Sequence, residues 1–151
     1  MANQDYDKLV TLRINNYQGQ IIANNGTDQL GAAYIDLNGF AFLQFTILSS
    51  TKVKTMKGCA VTLKSNAGAL EISSDTEEIE SDFSHELNTG VLDFDIDLED
   101  EVLGFINEHE VSAIQFNFEK TAFDFKNVNH VLLQKIAAAA YQVVLASDEE
   151  E

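Results

Sequence analysis

The sequence predicts an α+β fold: a mainly antiparallel β-sheet or sandwich of seven to eight strands, with helices near residues 98–109 and 128–143 packed on it. Three observations carry that expectation. Apolar and polar residues alternate over most of the chain, which is the period of a half-buried strand. Asn- and Gly-rich turn signals punctuate those runs at hairpin spacing. In the last third the period lengthens twice to that of a helix.

Taken in order, Val10, Leu12 and Ile14 share one face of an expected first strand that ends at Asn15-Asn16. Ile21-Ile22 forms a short second strand closed by Asn24-Asn25-Gly26. Tyr34 to Leu37 runs into Asn38-Gly39, where both residues tolerate positive φ, so a hairpin returns along Phe40 to Leu48. That return strand has a wholly apolar odd face (Ala41, Leu43, Phe45, Ile47) and an even face opening with Phe40 and Phe42, as expected of a central strand. Cys59-Val61-Leu63 and Leu70-Ile72, joined by Asn66-Ala67-Gly68, make a second hairpin. The acidic stretch from Asp75 to Glu86 reads as a loop or an edge strand. Asn88-Thr89-Gly90 then leads into Leu92-Phe94-Ile96-Leu98.

Between Asp97 and His109, Val102, Leu103 and Ile106 stand at helical spacing, with Glu99, Asp100 and Glu101 where the helix dipole favours anions. Ile114-Phe116-Phe118 and Phe123-Phe125 resume strand periodicity as a hairpin. The 14 residues from Leu98 to Val111 also suffice for a parallel crossover. Val128, Val131, Leu132, Ile136, Ala139 and Val143 line a C-terminal helix capped by Asn127 or Asn129, which runs to about Val143 or stops near Ala140 with Tyr141 to Leu145 as a strand. One domain over residues 1–146 and a short acidic tail over 147–151 follow.

Charge narrows the function classes. The chain carries 25 acids against 9 bases, a net −16, and the first 75 residues are neutral, so the whole excess lies in the second half. A nucleic-acid clamp needs cations to displace counterions from phosphate, which this balance opposes. The run Ile136 to Ala146 is well short of the roughly 20 residues of a membrane helix, and the start lacks the basic and apolar regions of a secretory signal. A lone Cys59 fits a reducing compartment and reads as a small core residue. A cytoplasmic protein, or a component of an assembled particle, is the expectation.

The sharpest motif is Asp93-x-Asp95-x-Asp97, whose carboxylates would lie about 7 Å apart along one strand face. Such a row suits a hard cation such as calcium. The helix–loop–helix calcium loop is not matched, since Leu98 stands where its glycine belongs and Gly104 where its bidentate glutamate belongs. The alternation with Leu92, Phe94 and Ile96 equally explains the aspartates as a solvent face. A second acidic group (Glu77, Glu78, Glu80, Asp82, Glu86) reads first as a charged edge that blocks strand addition; were the two acidic strands direct neighbours, their repulsion would call for a cation between them, either an ion or a partner's lysines.

Lys52, Lys54 and Lys57 form a lysine island, read as a solvated loop or as a contact for the acidic half of a neighbouring copy. His85, His109 and His130 lack partners at ligand spacing, and no phosphate loop, G-x-S-x-G, H-E-x-x-H or C-x-x-C occurs. Without tryptophan, carbohydrate chemistry is poorly served. The sequence therefore predicts no cofactor and no catalytic residues. It predicts a structural or assembly subunit with protein partners, a homo-oligomer or larger complex. The analogy is with acidic β-rich subunits of tubes and shells such as viral tails, in size and composition alone. A small binding domain, calcium-dependent through Asp93, Asp95 and Asp97, is the alternative.

Overall fold

The computed structural model describes the backbone of residues 2–149 and the side chains of residues 4–36 and 38–140. The chain opens with α1 (Ala2–Asn15), β1 (Gln20–Asn24), β2 (Gln29–Leu37), β3 (Phe40–Ser49) and β4 (Lys54–Thr55). Next come β5 (Ala60–Ser65), β6 (Gly68–Ser73), β7 (Ile79–Glu80), β8 (Asp82–Ser84) and β9 (Thr89–Asp97). It closes with α2 (Asp100–Glu108), β10 (Ala113–Asn117), β11 (Ala122–Lys126) and α3 (His130–Glu149). Among the described residues, eight strands are five residues or longer, and all strand pairs are antiparallel.

The long hairpin organises the first sheet. Asn38 and Gly39 both take positive φ (55° and 86°), so a two-residue turn matches the strand twist and pairs Leu37 with Phe40. β9 lies along the other side of β3, with Phe94 opposite Phe45, and the full order is β1-β2-β3-β9-β8. β3 is central, as its two apolar faces predict. A second sheet runs β11-β10-β5-β6, and β4 pairs with β7 alone.

Alternation decides what each sheet buries. Leu43, Phe45 and Ile47 of β3 share a face with Leu92, Phe94 and Ile96 of β9, all within the main core. The second sheet answers with Ile114 and Phe116 of β10 and Phe123 and Phe125 of β11. Ring edges interlock across the gap: Phe116 stands 5.2 Å from Phe45, 5.6 Å from Phe94 and 6.0 Å from Phe125, each nearly perpendicular. α3 covers β1, β2 and β3 and touches α2, whose Val102, Leu103 and Ile106 are buried as their spacing predicts. Asn129 is the α3 cap, its Oδ1 accepting the Leu132 amide at 3.1 Å.

Four expectations need correction. The segment expected as a first strand at Val10 to Ile14 is the last part of α1, because the fold buries Val10 and half-buries Ile14, four residues apart, while Leu12 is 56% exposed. A third helix thus stands outside the last third. The link after Leu98 makes no parallel crossover, since β9 and β10 belong to different sheets. α3 does not stop at Ala140 but continues to Glu149, with Glu150 and Glu151 outside the described residues. Within its stripe Val131 faces outward at 60% exposure, and the Val143 side chain lies outside the described residues.

Candidate functional site

The carboxylates of β9 lie on the outer face of the first sheet, opposite the phenylalanine core. Register pairs Val91 with Leu48, Asp93 with Thr46, Asp95 with Gln44 and Asp97 with Phe42. α1 is attached over the first part of this face. Val10, Leu48 and Val91 form a small buried cluster with Ile14 against it, separate from the main core. Around it the helix is clamped by polar contacts. The Thr11 and Ser84 hydroxyls are 2.5 Å apart, and Asp7 Oδ1 accepts the His85 amide at 2.5 Å. That amide, with the Glu86 amide and the His85 ring, holds the Asp7 carboxyl below its ordinary range.

The cation between the two acidic strands is not the expected ion or partner's lysine but Arg13 of the same chain. Its guanidinium donates Nη1 to Asp82 Oδ2 of β8 at 2.7 Å and Nη2 to Asp93 Oδ2 of β9. Asp93 also accepts the Thr46 hydroxyl at 2.6 Å, and Asp82 the Tyr6 hydroxyl at 2.5 Å. β8 and β9 are direct neighbours, so the like charges foreseen in the sequence do meet, and a side chain from α1 neutralises them.

Further along the row the situation reverses. The Asp75 amide donates to the Asp95 carbonyl at 2.7 Å, bringing a second acid alongside β9. Burial, and then the Asp75 charge, raise the carboxyls of Asp95 and Asp97 above their ordinary range. Asp95 Oδ1 is buried without a hydrogen-bond partner, as is the hydroxyl of Tyr17. The Tyr17 ring covers Gly31, where a Cβ would stand 2.2 Å from the tyrosine oxygen. Among the described residues, no three His, Cys, Asp or Glu side chains converge closely enough to hold one ion.

This geometry yields a pH prediction. A carboxyl whose folded value is raised favours the fold at acid pH, and that contribution is lost as pH rises through the raised value. Asp95→Asn should therefore melt higher than the parent at pH 7. The gap should close below about pH 3, where the carboxyl is protonated in both states. Equal melting at pH 7 would remove the electrostatic cost assigned to Asp95.

The lysine island is partly engaged within the chain. Lys54 stands opposite Glu80 in the β4–β7 pair, Lys57 Nζ is 3.5 Å from Glu119 Oε1, and Lys52 Nζ lies 4.6 Å over the Phe83 ring. Val53 and Thr55 between them are buried, which anchors the segment as more than a loop. His130 Nδ1 accepts the Val111 amide at 3.0 Å, a tie between α3 and the start of β10. His109 packs on Phe105 with ring centres 5.0 Å apart. Cys59 is buried, and that burial pushes its thiol up to about 12, far from a reactive thiolate.

The sequence reading did not find Arg13, Thr46, Tyr17 or Asp75. A lone arginine in an apparent strand carries no signal that it reaches across 80 residues. Among the described residues no helix is long and apolar enough to cross a membrane. No protein-family model, curated protein or solved structure matches the chain.

Proposed function

We propose that the protein is a non-enzymatic assembly subunit that associates through its surface with further copies of itself, within a larger particle. The observation that carries this is the outward face of α1. Leu9 and Leu12 stand one helical turn apart at 66% and 56% exposure, on a helix clamped by Asp7 and Thr11 on its far side and by Arg13 one turn beyond Leu9. A rigid helix that shows adjacent leucines to water is suited to burying them against another molecule. Electrostatics supports the same face. Of the four charged residues on α1, Asp7 and Arg13 are occupied within the chain and Asp5 and Lys8 balance, so like copies meet here without the repulsion of the −16 elsewhere.

Light scattering at rising concentration in about 0.15 M salt tests this. The mass should climb above that of one chain, and Leu9→Glu/Leu12→Glu should weaken association by roughly tenfold or more without lowering the melting temperature. A parent that stays monomeric at every concentration and salt would overturn the reading.

The alternative is a calcium-dependent binding surface at Asp93, Asp95 and Asp97. Its support is the unpartnered Asp95 oxygen beside Asp75, while Asp93 is taken up by Arg13 and Thr46. The melts described for Asp95→Asn decide it when repeated with calcium. A cation at a hundred times its dissociation constant adds about 2.7 kcal/mol, and no upward shift would dismiss it.

A further inference from the structure

We propose that the tip of the β2–β3 hairpin is a knob that seats in the groove between β2 and α3 of a second copy of this chain. The proposal rests on the assembly reading and names its contact.

The knob is Phe40. It is 70% exposed, more than any other large apolar side chain among the described residues. It is also held in place. The Asn38-Gly39 turn fixes the backbone, and the Asp36 carboxylate accepts the Gly39 amide at 3.0 Å. Rigid presentation matters because an aromatic ring fixed before binding loses little entropy on contact. Register puts Phe40 on one face of the hairpin and Asp36, opposite Ala41, on the other.

The groove is about 350 Å³, with Ala33 and Tyr34 on one wall and Leu132, Ile136 and Ala139 on the other. Its size falls in the range of about 300–1,000 Å³ typical of sites that take a compact apolar group. Lys135 is the one charged residue among those described that line it. That is notable in a half of the chain with nineteen acids and three bases. An apolar groove with a cationic rim calls for an apolar group carried beside an acid. The tip offers both, as Phe40 and Asp36. Among the described residues, neither Asp36 nor Lys135 forms an ion pair within its own chain. A tip entering end-on lays the ring against the Ala33–Tyr34 wall and turns the carboxylate, on the opposite face of the hairpin, toward Lys135 on α3. Because each copy carries both knob and groove, the contact is heterologous and repeats into a ring or filament.

The test is light scattering on the full chain and on variants of the knob, the groove and the α1 face. Phe40→Ser removes the knob, and Ala139→Arg fills the groove from a helix position that tolerates arginine. Each should weaken association by roughly 10–100-fold, as expected for an unburied phenyl ring. Lys135→Glu should also weaken it, and should cost less in an Asp36→Asn background, which keeps an acceptor for the Gly39 amide, a coupling that a merely structural role would not produce. If Phe40→Ser and Ala139→Arg assemble like the parent while Leu9→Glu/Leu12→Glu does not, the tip-in-groove contact is overturned and the assembly reading stands. A parent that never leaves the monomer overturns both.

Discussion

Phe116→Ala should cost about 3–5 kcal/mol of folding stability, the largest loss expected of any single side-chain truncation here. The ring is fully buried and lies at the centre of the contact between the two sheets. Phe45 and Phe94 reach it from β3 and β9, and Phe125 from β11 within its own sheet. Truncation removes three edge-to-face contacts at once and leaves a cavity walled by strands, which cannot close over it as a loop can. A domain of this size is stable by about 5–15 kcal/mol, so the variant should stand near the limit of folding. Its melting temperature should fall by roughly 10 °C or more. Phe40→Ala at the exposed tip is the matched control, with little expected change. A loss below about 1 kcal/mol for Phe116→Ala would mean that the two sheets do not face each other across these rings.

Arg13→Gln should cost about 1–2 kcal/mol, well beyond the loss of an ordinary surface ion pair. Removing the guanidinium strips a cation from two neighbouring strands and leaves Asp82 and Asp93, diagonal neighbours on one face, without the charge that bridges them. Solvent tempers the effect, because Arg13 and Asp82 are both more than two-fifths exposed, whereas Asp93 is only a quarter exposed. High salt should erode part of the parent's advantage, since the screening length falls to about 3 Å at 1 M. A double-mutant cycle isolates the contact. Asp93→Asn removes one of the two carboxylates, so Arg13→Gln should cost less in that background than in the parent. Strict additivity would show that Arg13 acts by packing alone. The same variant should loosen α1, which hydrogen exchange of its amides would report, because its apolar anchor is only Val10 and Ile14 on Leu48 and Val91.

Much of this fold was legible in the chain. The Asn38-Gly39 hairpin, the hairpin across Asn66-Ala67, the strand from Val91 to Asp97 and the buried stripe of α2 all follow from local periods and turn chemistry. α1 was not legible, for a specific reason. Val10-Thr11-Leu12-Arg13-Ile14 satisfies period two, and only the sheet beneath it selects Val10 and Ile14 as the buried pair. Over five residues the two periods share their end points, so no local count separates them.

The candidate site divides in the same way. Strand alternation placed Asp93, Asp95 and Asp97 on one face, and like-charge repulsion called for a cation only if the preceding acidic stretch lay beside them, an ion or a partner's lysine being the expected source. The identity of that cation was a question of long-range geometry. Arg13 reaches Asp82 across 69 residues and Asp93 across 80, a meeting no spacing rule describes. The sequence alone determined the long strands that follow α1 and their faces, because these depend on neighbours close along the chain. Only the tertiary structure decided which side chain supplies the cation, which end of the row stays unneutralised beside Asp75, and which apolar residues are left facing water. Those outcomes depend on how separate elements dock, and docking energies are summed over contacts that are distant in the chain.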